Sequence, residues 1–147
     1  VVNRHDHGQS SALIAMNILE SFKMPPEEIA IVISAIGNHE EETGDPVNPV
    51  AAALILADKS DVHKTRVRNP QMISFDIHDR VNYAVERSFL RVDPAKKVIA
   101  LEINIDTKIS QVMEYFEIFM SRMIICRRAA KFLKCNFELI INEKKVL

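Results

Sequence analysis

Proline divides this sequence. All six prolines fall at the breaks Pro25-Pro26, Pro46, Pro49, Pro70 and Pro94. Each has a fixed φ and no backbone N–H, so a helix or strand must begin or end there. Before the first break, Ser10 and Ser11 are placed to cap a helix carrying Leu13, Ile14, Met16, Ile18, Leu19 and Phe22 at helical spacing. Pro26-Glu27-Glu28 then opens a second helix, with proline early and carboxylates near the positive end of the helix dipole. It runs through Ile29, Val32, Ile33 and Ile36 and is expected to stop near Gly37 to Glu40. The stretch 41–49, with Gly44-Asp45-Pro46 and Asn48-Pro49, reads as a loop into a third helix from about Val50 to Arg66, and Asn69-Pro70 breaks the chain again.

Beyond a short helix expected around Asp79 to Glu86, the pattern turns from helical to alternating. Ser88 to Val92 and Val98 to Ile105 read as the two strands of a hairpin, with Asp93-Pro94-Ala95-Lys96-Lys97 between them. Thr107 can cap a long helix through Leu133 whose apolar face holds Val112, Phe116, Phe119, Met120, Met123 and Ile124, and Phe137 to Ile141 reads as a closing strand. The fold expected is mainly α: a helical unit over 1–86, followed by a small α+β part over 87–147 packed on it or sharing its domain.

At 147 residues the chain can bury a core without metals or disulfides to staple it, and its 27% of charged residues is ordinary for a globular protein. Lys and Arg total 19 against 20 Asp and Glu. No overall field draws it to nucleic acid or an anionic membrane, and no aromatics cluster among the basic residues, so nucleic acid is not an expected partner. Cys126 and Cys135 form no CxxC, no secretory signal precedes them, and no apolar run approaches the roughly 18 residues of a membrane helix. A reducing, cytoplasmic setting without membrane contact is expected. Val1 is not a start methionine and leads into polar residues without a helix start, so the gene product is expected to extend upstream.

Polar groups stand in apolar stripes. Ala51, Ile55, Asp58 and Val62 share a helical face by spacing, which puts an acid where the core should be, and a buried carboxylate must be paired or bind a metal. Val32, Ile36 and His39 share a face of the second helix, and His7 precedes Ile14 and Ile18 at the first. Imidazole with carboxylate is the donor set of zinc, iron, manganese or nickel at hydrolytic sites. Taken singly, a histidine at a helix end is more often a cap, and a buried aspartate more often pairs with Arg or Lys.

His7-Gly8 opening a helix, Asn38-His39-Glu40 closing the next, and Ile55-Leu56-Ala57-Asp58-Lys59-Ser60-Asp61 resemble, in order and context, the later motifs of the HD-superfamily phosphohydrolases. The resemblance covers about half the chain. It implies a helical-bundle fold of the HD type, with Asp58 as the late metal-ligand aspartate and His7 and His39 as the intermediate histidines that bind a second metal or the substrate phosphate. The family's early His and its His-Asp pair would lie before Val1. Two literal His-Asp pairs, His5-Asp6 and His78-Asp79, lack the apolar helical approach of that pair and are set aside, with a residual chance for His5 as a neighbour of His7.

The implied reaction is hydrolysis of a phosphomonoester or phosphoanhydride, a nucleotide being the specific expectation, by water activated at one or two divalent ions: manganese, iron, nickel, zinc or magnesium. Asp58 and His39 would be central to catalysis. Lys59, His63 and Arg66 would hold the substrate's anionic groups, or form a solvated basic face. Asp61 would orient a ligand or bound water, or pair with Lys64, and Glu40 could serve as a base or lie in solvent. The alternative is a domain that binds a nucleotide or partner without turnover, its α+β tail making a homodimer contact.

Overall fold

The computed structural model describes residues 6–67 and 76–147. Asn69-Pro70, Arg68 and His5 lie outside them. Five helices, α1 (His7–Ser21), α2 (Pro26–Gly37), α3 (Pro49–Lys59), α4 (Ile77–Ala84) and α5 (Val112–Phe132), accompany a 3-10 turn at Lys64–Arg66. Four strands, β1 (Val85–Asp93), β2 (Val98–Ile105), β3 (Asn136–Ile141) and β4 (Lys144–Lys145), form one sheet in the order β1-β2-β3-β4. The hairpin β1–β2 is antiparallel, β2 and β3 are parallel with α5 as the crossover, and β4 turns back on β3.

The breaks fall where proline puts them. Pro26 is in the first turn of α2, and Pro49 opens α3 behind Asn48, whose side chain accepts from the Ala51 N–H and donates to Ser34 Oγ, tying α3 to α2. Several boundaries differ from expectation. α1 starts a turn earlier than Ser10, because a carboxylate from another element caps it, and α3 ends at Lys59 rather than near Arg66. The long helix α5 is capped by Gln111 in a reciprocal box with Glu114, not by Thr107.

The expectation of a mainly helical, HD-type bundle with a small appendage is overturned: five helices share the chain with a four-stranded mixed sheet that builds the core. One cluster joins Leu101, Ile103, Leu139 and Ile141 of the sheet to Tyr115, Phe119 and Met123 of α5 and to Val81 of α4. A second joins Ala52, Ile55 and Leu56 of α3 to Ile125, Cys126 and Ala129 of α5 and to Ile99 of β2. Every core layer therefore runs through α5. The helices α1 and α2 bury little themselves, Gly8 in the first and Ile29, Ala35 and Gly37 in the second, so they form a hairpin resting on the core rather than a bundle around one. The expected boundary between residues 86 and 87 falls inside β1. Among the described residues no helix is long and apolar enough to cross a membrane.

Candidate functional site

α1 and α2 pack as an antiparallel pair, so the start of α1 meets the end of α2. Contact is close because residue 8 has no side chain: a Cβ there would come within 3.1 Å of the Ile36 carbonyl oxygen. Glu40, just past α2, reaches back over this junction. Its Oε1 accepts the Gly8 N–H at 2.7 Å and lies 2.7 Å from His7 Nδ1. One carboxylate thus caps α1, which has no side-chain cap of its own, and anchors the first imidazole. The Gly8 N–H holds the Glu40 carboxyl below its usual range; burial opposes this, and His7, His39 and Lys59 add to the lowering.

His39 is nearly buried, and its Nδ1 lies 2.5 Å from the Ile36 carbonyl. Both Nδ1 atoms therefore face oxygen acceptors, one a carboxylate and one a carbonyl, which assigns the ring proton to Nδ1 in each case. The two Nε2 atoms meet at 3.1 Å, with the rings edge to face. Two imidazoles so oriented share either a proton or a cation. With each nitrogen at a usual zinc–nitrogen distance of about 2.05 Å, a 3.1 Å separation corresponds to an angle of about 100° at the ion, close to tetrahedral. The partners at Nδ1 are also those that orient metal-binding histidines. The pair fits two ligands of a divalent ion. Among the described residues no group of three or more His, Cys, Asp or Glu side chains is gathered tightly enough to enclose one.

Asp58 does not sit on the core face. The buried stripe of α3 is Ala51, Ala52, Ile55, Leu56 and Lys59, which leaves Asp58 about a quarter turn to one side, its side chain 45% exposed. The helix has ended before Val62, which is buried from the following loop. The polar group taken inside is Lys59, only 3% exposed, its aliphatic stem continuing the stripe. Lys59 Nζ lies 2.6 Å from Asp58 Oδ2 and 3.3 Å from Glu41 Oε1. Glu41 Oε1 also accepts from Arg122 Nε of α5 at 3.0 Å, and the Arg122 guanidinium lies 4.6 Å from the centre of the Phe119 ring. Burial pushes the Asp58 carboxyl up, but Lys59, with His39 and Arg122 behind it, brings the net shift below the usual value.

The structure thus brings His7, His39 and Glu40 together, while Asp58 pairs with Lys59 and feels the charge of His39. It does not form the expected stripe of Lys59, His63 and Arg66. Lys59 is locked between two carboxylates. His63 places Nδ1 2.9 Å from Thr65 Oγ1 and Nε2 3.0 Å from the Glu86 carbonyl, pinning the loop to β1. Arg66 pairs with Asp61, so the Asp61 carboxylate is turned to that arginine rather than to Lys64 or to Asp58.

A cavity of about 290 Å³ opens beside His7. Its lining includes His7, the acidic residues Asp6, Glu40, Glu41 and Glu42, His78 of α4 and Arg122 of α5. Sequence reasoning singled out none of Glu41, Arg122 and His78 as a site residue, and it set His78-Asp79 aside as a literal His-Asp pair. Arg122 had a signal, since it sits between Phe119 and Met123 on the apolar side of α5; His78 had none, because only the tertiary fold brings α4 to this cavity. Scans of protein-family models and comparisons with characterised proteins and with solved structures find no match to this chain.

Proposed function

We propose that the protein is a metal-dependent phosphohydrolase in which His7 and His39 are two ligands of a divalent ion and Glu40 orients the first of them. The observation that carries this reading is the convergence of two Nε2 atoms whose Nδ1 atoms are both held by oxygen acceptors. When bound, such an ion activates water and screens phosphate charge. The acid-lined cavity supports it, because a phosphate dianion would be repelled there unless a cation shared the site. Manganese, iron, nickel, zinc and magnesium are the candidate ions. The substrate is a phosphomonoester or phosphoanhydride, a nucleotide in the specific form of the proposal, met in a reducing cytoplasm. Asp58, which pairs with Lys59 and feels the charge of His39, is the carboxylate best placed to adjust the site's charge.

A second reading, a domain that binds a nucleotide or another copy of itself without turnover, draws on the outer surface of α1, where Leu13, Ile14, Ile18 and Phe22 are each more than two-fifths exposed. One experiment separates the two: metal content and phosphate release from a panel of nucleotides, for the protein and its His39→Ala variant. The hydrolase reading predicts about one or two bound ions and turnover, with both lost in the variant. A protein that binds metal or nucleotide and releases no phosphate from any substrate would carry the second reading instead.

A further inference from the structure

The cavity holds one more group that the metal-site reading leaves unused. Four histidines fall within the described residues. His7 and His39 face each other, and His63 is tied to Thr65 and the Glu86 carbonyl. His78 lines the same cavity as His7, exposed, and no described side chain or backbone group bonds its ring. Its backbone alone is engaged: the His78 N–H is capped by Asp76 and its carbonyl accepts from Asn82, so α4 fixes where the ring begins.

The other lining groups leave few sources for a proton. Asp6, Glu40, Glu41 and Glu42 are acceptors when ionised. Arg122 is committed to Glu41 and does not give up its proton. The His7 Nδ1 proton is directed to Glu40. Among the described lining groups, His78 is the one imidazole whose ring no described group holds, and when protonated it donates from both nitrogens.

We propose that His78 is the catalytic general acid of the hydrolysis, an inference that rests on the phosphohydrolase reading above. A water oxygen bonds to phosphorus as the P–O ester bond breaks. The electron pair of that bond leaves on the alcohol oxygen, which takes the proton from the His78 imidazolium; the water's proton passes to solvent, and solvent later reprotonates the imidazole. Inorganic phosphate and the free alcohol are the products.

The test exploits the leaving group. A nucleoside 5′-monophosphate expels an alkoxide that needs a proton, whereas p-nitrophenyl phosphate expels a stable anion that does not. With the manganese-loaded protein, His78→Gln and His78→Ala should each lower kcat/KM for the nucleotide by about 10²- to 10⁴-fold and that for p-nitrophenyl phosphate by less than about tenfold. The Mn²⁺ binding isotherm should stay unchanged in both variants. Equal losses on the two substrates, no loss on either, or weakened Mn²⁺ binding would overturn the assignment while leaving the hydrolase intact. A parent protein inactive on both substrates would instead remove the hydrolase reading, and the acid with it.

Discussion

At the scale of single residues, the site depends on two close approaches made at glycines. Gly8 lets the start of α1 touch the end of α2, which sets the distance between His7 and His39. Gly44 closes the loop behind Glu40 to Glu42: its N–H donates to the Glu40 carbonyl at 2.9 Å, and a Cβ there would lie 2.3 Å from the Asn38 carbonyl oxygen and 2.4 Å from that of Glu40. Both obstacles are backbone, so the loop would have to move. Gly44→Ala is expected to destabilise the protein by about 1–3 kcal/mol, measured by urea unfolding, and to weaken divalent-ion binding in the same variant. Unchanged stability and binding would mean that the loop does not set the site. His7, His39 and Glu40 were legible in the sequence because their side chains stand at helix ends, where spacing is informative. Asp58 was misplaced because periodicity fixes a stripe's direction only to within about a quarter turn, and the stem of Lys59 extended the buried stripe to the other side.

Among the elements, α5 organises the rest. Its first turn is held by Glu114, which accepts from Ser110 Oγ and from the Gln111 N–H and pairs with Arg80 of α4. The Arg80 guanidinium, then Ser110 and the Gln111 N–H, bring the Glu114 carboxyl from its ordinary 4.5 down to about 2. A carboxylate whose folded pKa is depressed contributes stability above its unfolded pKa and loses it as pH falls through the folded one. The Tm difference between the parent and Glu114→Ala should therefore be full at neutral pH, begin to shrink below about 4.5 and nearly close by about 2. A difference independent of pH would contradict the electrostatic origin of the cap. At its other end α5 stops on Lys134 in the left-handed region, φ 58°, with Cys135 N–H bonded to the Ala130 carbonyl. Lys134→Gly should raise stability by about 0.5–1 kcal/mol in denaturant unfolding, and a decrease would show that the lysine side chain outweighs the strain. The end of α5 was legible in the sequence, but the turn at Asn142 and Glu143 that brings β4 back on β3 was not, because both residues adopt the left-handed region without a glycine to mark it. The parallel pairing of β2 with β3 was hidden as well, since alternation reveals a strand and says nothing of its neighbour.

In the whole molecule, stability and function divide. The sheet, α4 and α5 make the larger core, α3 joins it through Ile55 and Leu56, and the α1–α2 hairpin that carries the histidines rests outside both clusters. Polar links cross between these parts: Arg122 to Glu41, and Arg128 to Asp45 at 2.5 Å. Hydrogen exchange should rank the elements accordingly, with α1 amides exchanging first and those of α5 and β2 last, near the global unfolding limit. Equal protection of α1 and α5 would contradict the picture of a hairpin resting on a core. The hairpin that carries the histidines thus lies outside the two core clusters, while His78 and Arg122 stand on helices that contribute to the larger one.

The central claim is that His7 and His39 meet as two Nδ1-protonated imidazoles with an ion between their Nε2 atoms. Long-range proton–nitrogen NMR of the histidine rings reads this directly, before and after one equivalent of Zn²⁺. The account predicts that both rings carry hydrogen on Nδ1 once Zn²⁺ is bound, and that the two Nε2 resonances shift together on addition of the metal. Nε2 resonances that stay in place, or that shift in one ring alone, would contradict it.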